Sequence, residues 1–250
     1  MAAKQEKEKV AALPDKFIGA GGNGHVIRHT DPNLGVIAVK LFVHEGARTF
    51  EYERLSSVQR PGHQCKQIIK LLGTCEIKRP NPREDPSIPT HLFGLKLEFI
   101  PFGCINQFID NWHPVIDVEV LSHWLFDAAN ALQFLSNANI IHFDVKPQNL
   151  LVRADFSLVL TDFSNALPLK DVSTITAIRG SPEYSSPEVL ANKGISCVAD
   201  VFSLGIVIYE LASGRNPLVS IKDDWALSIP DRATVILARI NTWVASAALH

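Results

Sequence analysis

No stretch of this sequence stays apolar long enough to cross a membrane. The longest strongly apolar run, around Leu204 to Ala212, falls far short of the ~20 residues a span needs. The start, Met1 to Pro14, alternates charge with alanine and has no apolar stretch of the secretory type. An excess of one charge is missing too. Lys and Arg total 24 against 26 for Asp and Glu, a formal net charge of −2, so neither a basic surface for nucleic acid nor an acidic tail is expected. Cysteine is sparse: Cys65, Cys75, Cys104 and Cys197 are widely scattered, with no C-x-x-C pair. That fits neither a zinc frame nor a small disulfide scaffold, and predicts free thiols in a reducing compartment. Internal repeats are absent. A soluble intracellular chain, cytoplasmic or nuclear, is the expectation.

What is present is enough apolar content for a substantial core: 46% of 250 residues, with 20% charged, room for one two-lobed domain or two small ones. The first hundred residues read as strands. Lys16-Phe17-Ile18 leads into glycines, and His25 to Arg28 and Val36 to Phe42 flank the turn Asp31-Pro32-Asn33-Leu34-Gly35. Glu45 to Val58 is weakly helical in spacing. Strands are expected over Ile68 to Ile77 and Leu92 to Ile100, separated by a proline-rich, solvated loop from Lys78 to Thr90. Beyond Pro101 the pattern turns helical. Val118 to Asn137 repeats apolar residues at steps of three and four, giving one buried face. Val198 to Ser213 is so apolar that it predicts a helix buried on all sides. Asp231 to Leu249 is helical again, and Ile140 to Leu167 is a short strand-and-loop interruption.

Several segments carry chemistry. Gly19-Ala20-Gly21-Gly22-Asn23-Gly24-His25-Val26 is a G-x-G-x-x-G-x-V run, whose missing Cβ atoms let backbone N–H groups approach phosphate oxygens. A dinucleotide-binding turn shares its first six positions but needs a helix at the last glycine, and here paired strands follow. Lys40 closes Val36-Ile37-Ala38-Val39-Lys40 one strand later. Ile141-His142-Phe143-Asp144-Val145-Lys146-Pro147-Gln148-Asn149-Leu150 comes next, then Thr161-Asp162-Phe163-Ser164, then Gly180-Ser181-Pro182-Glu183-Tyr184-Ser185-Ser186-Pro187-Glu188, and finally Asp200-Val201-Phe202-Ser203-Leu204-Gly205.

In order and spacing these segments resemble the signatures of the eukaryotic-type protein kinases, serine/threonine class, over roughly Lys16 to Pro217. The resemblance implies an α+β, two-lobed fold in a single domain, 1–250. It would have a flexible extension (1–14), a small antiparallel β-rich N-lobe with one helix (15–100) and a larger α-helical C-lobe (101–250). It implies ATP and magnesium as cofactors, protein serine or threonine as substrate, and no nucleic acid. Lys40 would hold the α- and β-phosphates, steadied by Glu51, with Glu53 as the alternative. Asp144 would accept or orient the substrate hydroxyl proton and Lys146 would sit on the γ-phosphate. Asn149 and Asp162 would give magnesium the hard oxygen ligands it prefers. Phosphates would lie under Gly19, Gly21 and Gly24. Adenine would lie between Ile18, Val26 and Ala38 on one side and Leu151 on the other, its edge on the Glu98 carbonyl and Ile100 N–H, with Leu97 behind. Leu55, Leu71, His142 and Phe163 resemble the family's stacked apolar spine, and Ser181 stands where the serine/threonine class carries threonine.

Three departures stand out. Phe143 replaces the arginine that in many relatives clamps an activation-segment phosphate. Ser164 replaces a glycine beside a metal ligand. Only Asn216 to His250 follow the apolar helix, so the resemblance suggests a shortened C-lobe, as in a streamlined viral or pathogen kinase acting in a host cell, or a truncated piece. Glu188 usually pairs with an arginine in the stretch that is short here, and Arg232 or Arg239 is the candidate substitute, a choice the sequence leaves open. None of these removes a catalytic group. The rival readings are a nucleotide-binding pseudokinase scaffold and a small-molecule kinase, the latter disfavoured by the nearly intact Gly180 to Glu188 segment.

Overall fold

A computed structural model of the chain describes residues 16–21, 24–60, 62, 64–78, 91–219 and 228–247. The expected N-terminal extension, the central Gly22-Asn23 of the glycine turn and nearly all of the proline-rich loop lie outside the described residues. The chain divides into two compact units, one of residues 1–64 and 69–101, the other of 65–68 and 102–250.

The first unit is built on strands β1 (Lys16–Gly21), β2 (Gly24–Asp31), β3 (Gly35–Phe42), β4 (Leu71–Lys78) and β5 (His91–Glu98). They form one sheet in the order β1-β2-β3-β5-β4, antiparallel throughout. The β2–β3 turn follows its residue chemistry. Asp31 Oδ1 accepts from Asn33 N at 2.9 Å and Leu34 N at 3.1 Å, and Gly35 supplies the left-handed φ of 75°. The other oxygen of that carboxylate meets Lys96 Nζ at 2.9 Å, both side chains buried. A hydrogen bond from Lys96, more than its charge alone, holds the Asp31 carboxyl below its ordinary range. Branched residues fill the centre, with Ile37 and Val39 of β3 packed against Cys75 of β4. Helix α1 (Glu45–Ser57) buries Glu51 and Leu55.

The second unit is mostly helical: α2 (Ile105–Trp112), α3 (Val118–Asn137), α4 (Pro187–Leu190), α5 (Val198–Ser213) and α6 (Ile229–Ala247), with the short pairs β6 (Ile140–Ile141) with β9 (Leu167–Pro168) and β7 (Leu150–Val152) with β8 (Leu158–Leu160). Helix α3 begins on an Asp117 cap that accepts from Val120 N at 2.9 Å. It buries Trp124, Ala128, Ala131, Leu132 and Leu135, the face its spacing predicts. An antiparallel sheet with one helix in the first unit and a helical second unit answer to the α+β expectation.

Two expectations need correcting. Helix α5 is not buried on all sides: Val198 is 65% exposed, Val201 56% and Tyr209 45%, on one stripe at helical spacing. Apolar composition alone cannot tell a surrounded helix from one covered on a single side, because exposure depends on what packs against it. Residues 65–68 belong to the second unit, although the sequence assigns everything before Pro101 to the first. Ile68 bridges Leu160, Leu160 N donates to the Gln67 carbonyl at 2.8 Å, and Gln67 Nε2 donates to Asp127 at 3.1 Å.

Candidate active site

In the first unit, Lys40 faces out of the middle of the sheet towards α1. Its Nζ lies 3.0 and 2.7 Å from the two oxygens of Glu51, and both residues are buried. Each charge therefore satisfies the other, as a buried pair must. Glu53, the alternative partner, is exposed. The strands that place Lys40 also place the glycines. Gly19 stands opposite Val26, Val26 opposite Lys40, and Gly21 opposite Gly24. Gly24 has φ 149°, and a Cβ there would lie against the Leu41 carbonyl oxygen, so no other residue fits. Ile18 and Val26 are half-buried and Ala38 is buried opposite Leu97. Glu98 ends β5, its N–H donating to the Lys70 carbonyl at 3.0 Å, and Ile100 follows two residues later, buried. Leu55 is buried and Leu71 half-buried in the same unit.

In the second unit the acidic and basic groups are held by a frame of buried backbone. Asp200, buried on α5, accepts from the backbone N–H of His142 at 2.7 Å and of Phe143 at 2.9 Å. Burial pushes its carboxyl above the ordinary range, while these two N–H groups pull the other way. The ring of His142 takes the Asp144 N–H on Nδ1 at 3.3 Å, so Nε2 carries the proton and donates to the Thr161 carbonyl at 3.0 Å. The same ring meets Phe163 edge-on, centroids 5.0 Å apart. Phe143 has φ 65° and a buried ring.

On this frame sits Asp144, itself buried. Its Oδ1 accepts from the Ser181 hydroxyl at 2.9 Å. Its Oδ2 lies 3.0 Å from Lys146 Nζ and accepts from Asn149 Nδ2 at 3.1 Å. Lys146 also donates to Ser181 Oγ at 2.8 Å, closing a triangle of lysine, hydroxyl and carboxylate. Asn149 Nδ2 donates to the Asp144 carbonyl as well, at 2.7 Å, so the amide nitrogen is committed inward and the amide oxygen is the end presented as a ligand. Thr161 N donates to the Asn149 carbonyl at 2.9 Å, tying this loop to the strand end that carries Asp162. Asp162 is half-buried with a left-handed backbone, φ 64°. An amide oxygen and a carboxylate are hard donors, and the pair fits magnesium. Leu151, on β7, is half-buried.

Two contacts escaped the sequence reading. Asn165 Nδ2 reaches Asp144 Oδ2 at 3.4 Å, and Ser164 donates to Asp162 Oδ1 from its hydroxyl and, at 3.3 Å, from its amide. Neither has a spacing signal, since both arise from the tight 3-10 turn of Phe163–Asn165. The arginines expected beside Glu188 are engaged elsewhere: Arg232 Nη1 lies 3.7 Å from Glu183, and Arg239 donates to the Leu218 carbonyl at 2.8 Å.

Comparison with known proteins points the same way as the geometry. The family model of the protein kinase domain matches residues 14–244. A probable receptor-like protein kinase of Arabidopsis thaliana is 30% identical over 245 residues, covering 84% of this chain and 50% of that protein. A probable serine/threonine-protein kinase of the same plant is 31% identical over 225 residues, 81% of this chain and 50% of the relative. A rust resistance kinase of Triticum aestivum is 28% identical over 238 residues, 88% of this chain and 35% of the relative. The chain thus spans about half or less of the length of these relatives.

Proposed function

The chain belongs to the protein kinase family, and we propose that it transfers the γ-phosphate of ATP to serine and threonine hydroxyls of protein substrates. The observation that carries this reading is the triangle of Asp144, Ser181 and Lys146. Phosphoryl transfer asks little covalent work of a protein; it needs alignment and charge neutralisation. In this reading a substrate hydroxyl donates to Asp144, whose carboxylate is held by Asn149 on one oxygen and Ser181 on the other. Asp144 takes or orients the departing proton, and Lys146 neutralises the γ-phosphate. Lys40, held extended by Glu51, binds the α- and β-phosphates. The glycine strands Gly19, Gly21 and Gly24 offer backbone N–H groups to phosphate. Ile18, Val26, Ala38 and Leu151 are the apolar contacts for adenine, and the backbone of Glu98 and Ile100 its polar ones. The family uses magnesium with ATP; here Asn149 and Asp162 would hold it, and bound there it neutralises phosphate charge.

The test is incubation with labelled ATP, magnesium and a generic protein substrate, beside an Asp162→Ala control. Transfer that the control lacks is expected. Nucleotide binding without transfer would favour a scaffold instead. Phosphoamino-acid analysis should give phosphoserine and phosphothreonine, because Ser181 bridges Asp144 and Lys146 as in the serine/threonine class. A product dominated by phosphotyrosine would refute that.

Activity should also not depend on a phosphate in the activation segment. The Phe143 side chain has no donor to hold one, its ring is buried, and Ser173, Thr174 and Thr176 are exposed. Replacing those three with alanine together should leave kcat/KM within about tenfold of wild type, ~1.4 kcal/mol. A larger loss, matched by phosphatase-treated wild type, would mean that a phosphate switch operates despite Phe143.

A further inference from the structure

We infer that Ser164 is a positioning residue for Asp162, setting the orientation of that carboxylate before any cation arrives. This rests on the reading of Asp162 as a magnesium ligand. Ser164 stands where the resemblance leads one to expect glycine, and the simplest expectation is that its side chain merely stiffens the loop. The structure gives it a different role. The left-handed residue of this turn is Asp162, with φ 64°, and Ser164 lies inside the 3-10 turn that follows, where a side chain costs nothing. The hydroxyl folds back to donate to Asp162 Oδ1, and the Ser164 N–H donates to the same oxygen at 3.3 Å.

Two donors converging on one carboxylate oxygen fix both the side-chain rotamer and the plane of the carboxylate. The hydroxyl-to-carboxylate bond is charge-assisted, the stronger kind of hydrogen bond. A glycine in this place retains the amide donor but has no hydroxyl, so its aspartate is held more loosely. Binding a metal to a loosely held ligand costs the entropy of ordering it, and a preformed ligand avoids that cost. Groups that orient a metal ligand without touching the metal are worth roughly 10–100-fold in metal affinity. Next along the turn, Asn165 contacts Asp144 at 3.4 Å, and Arg179 Nη1 donates to the Asn165 carbonyl at 3.2 Å, so the turn is anchored on its far side too. The hydroxyl therefore acts from a fixed base.

The competing view is that a donor on Oδ1 draws electron density from the carboxylate and weakens it as a ligand. The two views predict opposite signs. The experiment follows the thermal midpoint of the whole chain at fixed ADP while Mg²⁺ is titrated, for wild type, Ser164→Ala, Ser164→Gly, Ser164→Thr and Asp162→Asn. The Mg²⁺ concentration giving half the stabilisation should rise about tenfold in Ser164→Ala and Ser164→Gly. It should stay at the wild-type value in Ser164→Thr, which keeps the hydroxyl. Ser164→Ala should lower the metal-free midpoint with ADP a little, because a charge-assisted bond is lost, but a purely structural role would leave the Mg²⁺ requirement at the wild-type value. An unchanged or lower Mg²⁺ requirement in Ser164→Ala, or a rise in Ser164→Thr equal to that in Ser164→Ala, overturns the inference. If Asp162→Asn leaves the Mg²⁺ requirement unchanged, the reading of Asp162 as a ligand falls and the inference with it. If Asp162→Asn raises it while Ser164→Ala does not, only the role of Ser164 is refuted.

Discussion

Asp144→Asn is expected to lower kcat by ~10²–10⁴, the usual worth of a positioned base, while the protein stays folded and still gains stability from nucleotide. The fold should survive because backbone contacts that do not involve the Asp144 carboxylate also hold this loop. His142 and Phe143 are fixed through their backbone N–H groups on Asp200, and the backbone N–H of residue 144 goes to the His142 ring. An amide of the same size fills the same space. It cannot take a proton, and it presents an NH₂ group where the aspartate offers an acceptor. Asp144 now accepts from Ser181 on one oxygen and from Asn149 and Lys146 on the other, so one of those donors would face a donor. The loss corresponds to ~3–5 kcal/mol of transition-state stabilisation at 1.36 kcal/mol per decade. The measurement is kcat at saturating ATP and substrate, with thermal midpoints taken with and without ADP as the check on folding. Near-normal kcat in the variant would remove Asp144 from the chemistry.

Much of the site was legible in the sequence because its residue types sit in runs whose spacing is set by local backbone. Asp144, Lys146 and Asn149 lie on one loop, so finding the loop finds all three. Lys40 and Glu51 were harder. They come from different elements, and the resemblance pointed to Glu51 only through Leu55 and Val58, which follow it at the family's steps of four and seven and are buried as it is. The α3 helix could be read end to end because its buried face recurs at steps of three and four under an aspartate cap. What could not be read depends on partners distant in sequence. The exposed stripe on α5, the transfer of residues 65–68 to the second unit, and the approach of Arg232 to Glu183 are set by packing, to which no local pattern points. The departures from the family pattern behaved differently from one another. Phe143 simply removes a donor, as its chemistry says. Ser164 adds one, and which oxygen it reaches is set by the turn that follows Asp162.

Gly180→Ala should be among the most damaging single-methyl additions in the second unit, and its effect should reach the catalytic groups. Gly180 has φ 75°, and a Cβ built there would clash with the Phe143 carbonyl oxygen and lie 3.0 Å from its carbon and 3.4 Å from Asp144 Cα. These are backbone atoms, so no side chain can swing aside. Phe143 cannot yield easily, since its N–H is bound to Asp200 at 2.9 Å and its ring is buried. The alternative is for the chain at residue 180 to retreat, and that carries Ser181 away from Asp144 and Lys146. The left-handed conformation costs a non-glycine residue ~1–2 kcal/mol, and forcing extra volume into packed surroundings adds ~1–3 kcal/mol, so a loss of about 2–5 kcal/mol in stability follows. A displacement of 1 Å at a catalytic group can cost about 10²-fold in rate, so kcat/KM should fall by that order in the protein that remains folded. Gly214→Ala is the matched control. Gly214 has the same φ of 75°, at the end of α5, but a Cβ there would meet nothing within 4 Å. It should lose only the conformational ~1–2 kcal/mol and keep its activity. The difference between the two variants, measured by denaturant unfolding and by kcat/KM on the same preparations, isolates the contact with Phe143. If Gly180→Ala is no less stable and no less active than Gly214→Ala, the close approach of Gly180 to the catalytic loop is not what holds Ser181 against Asp144.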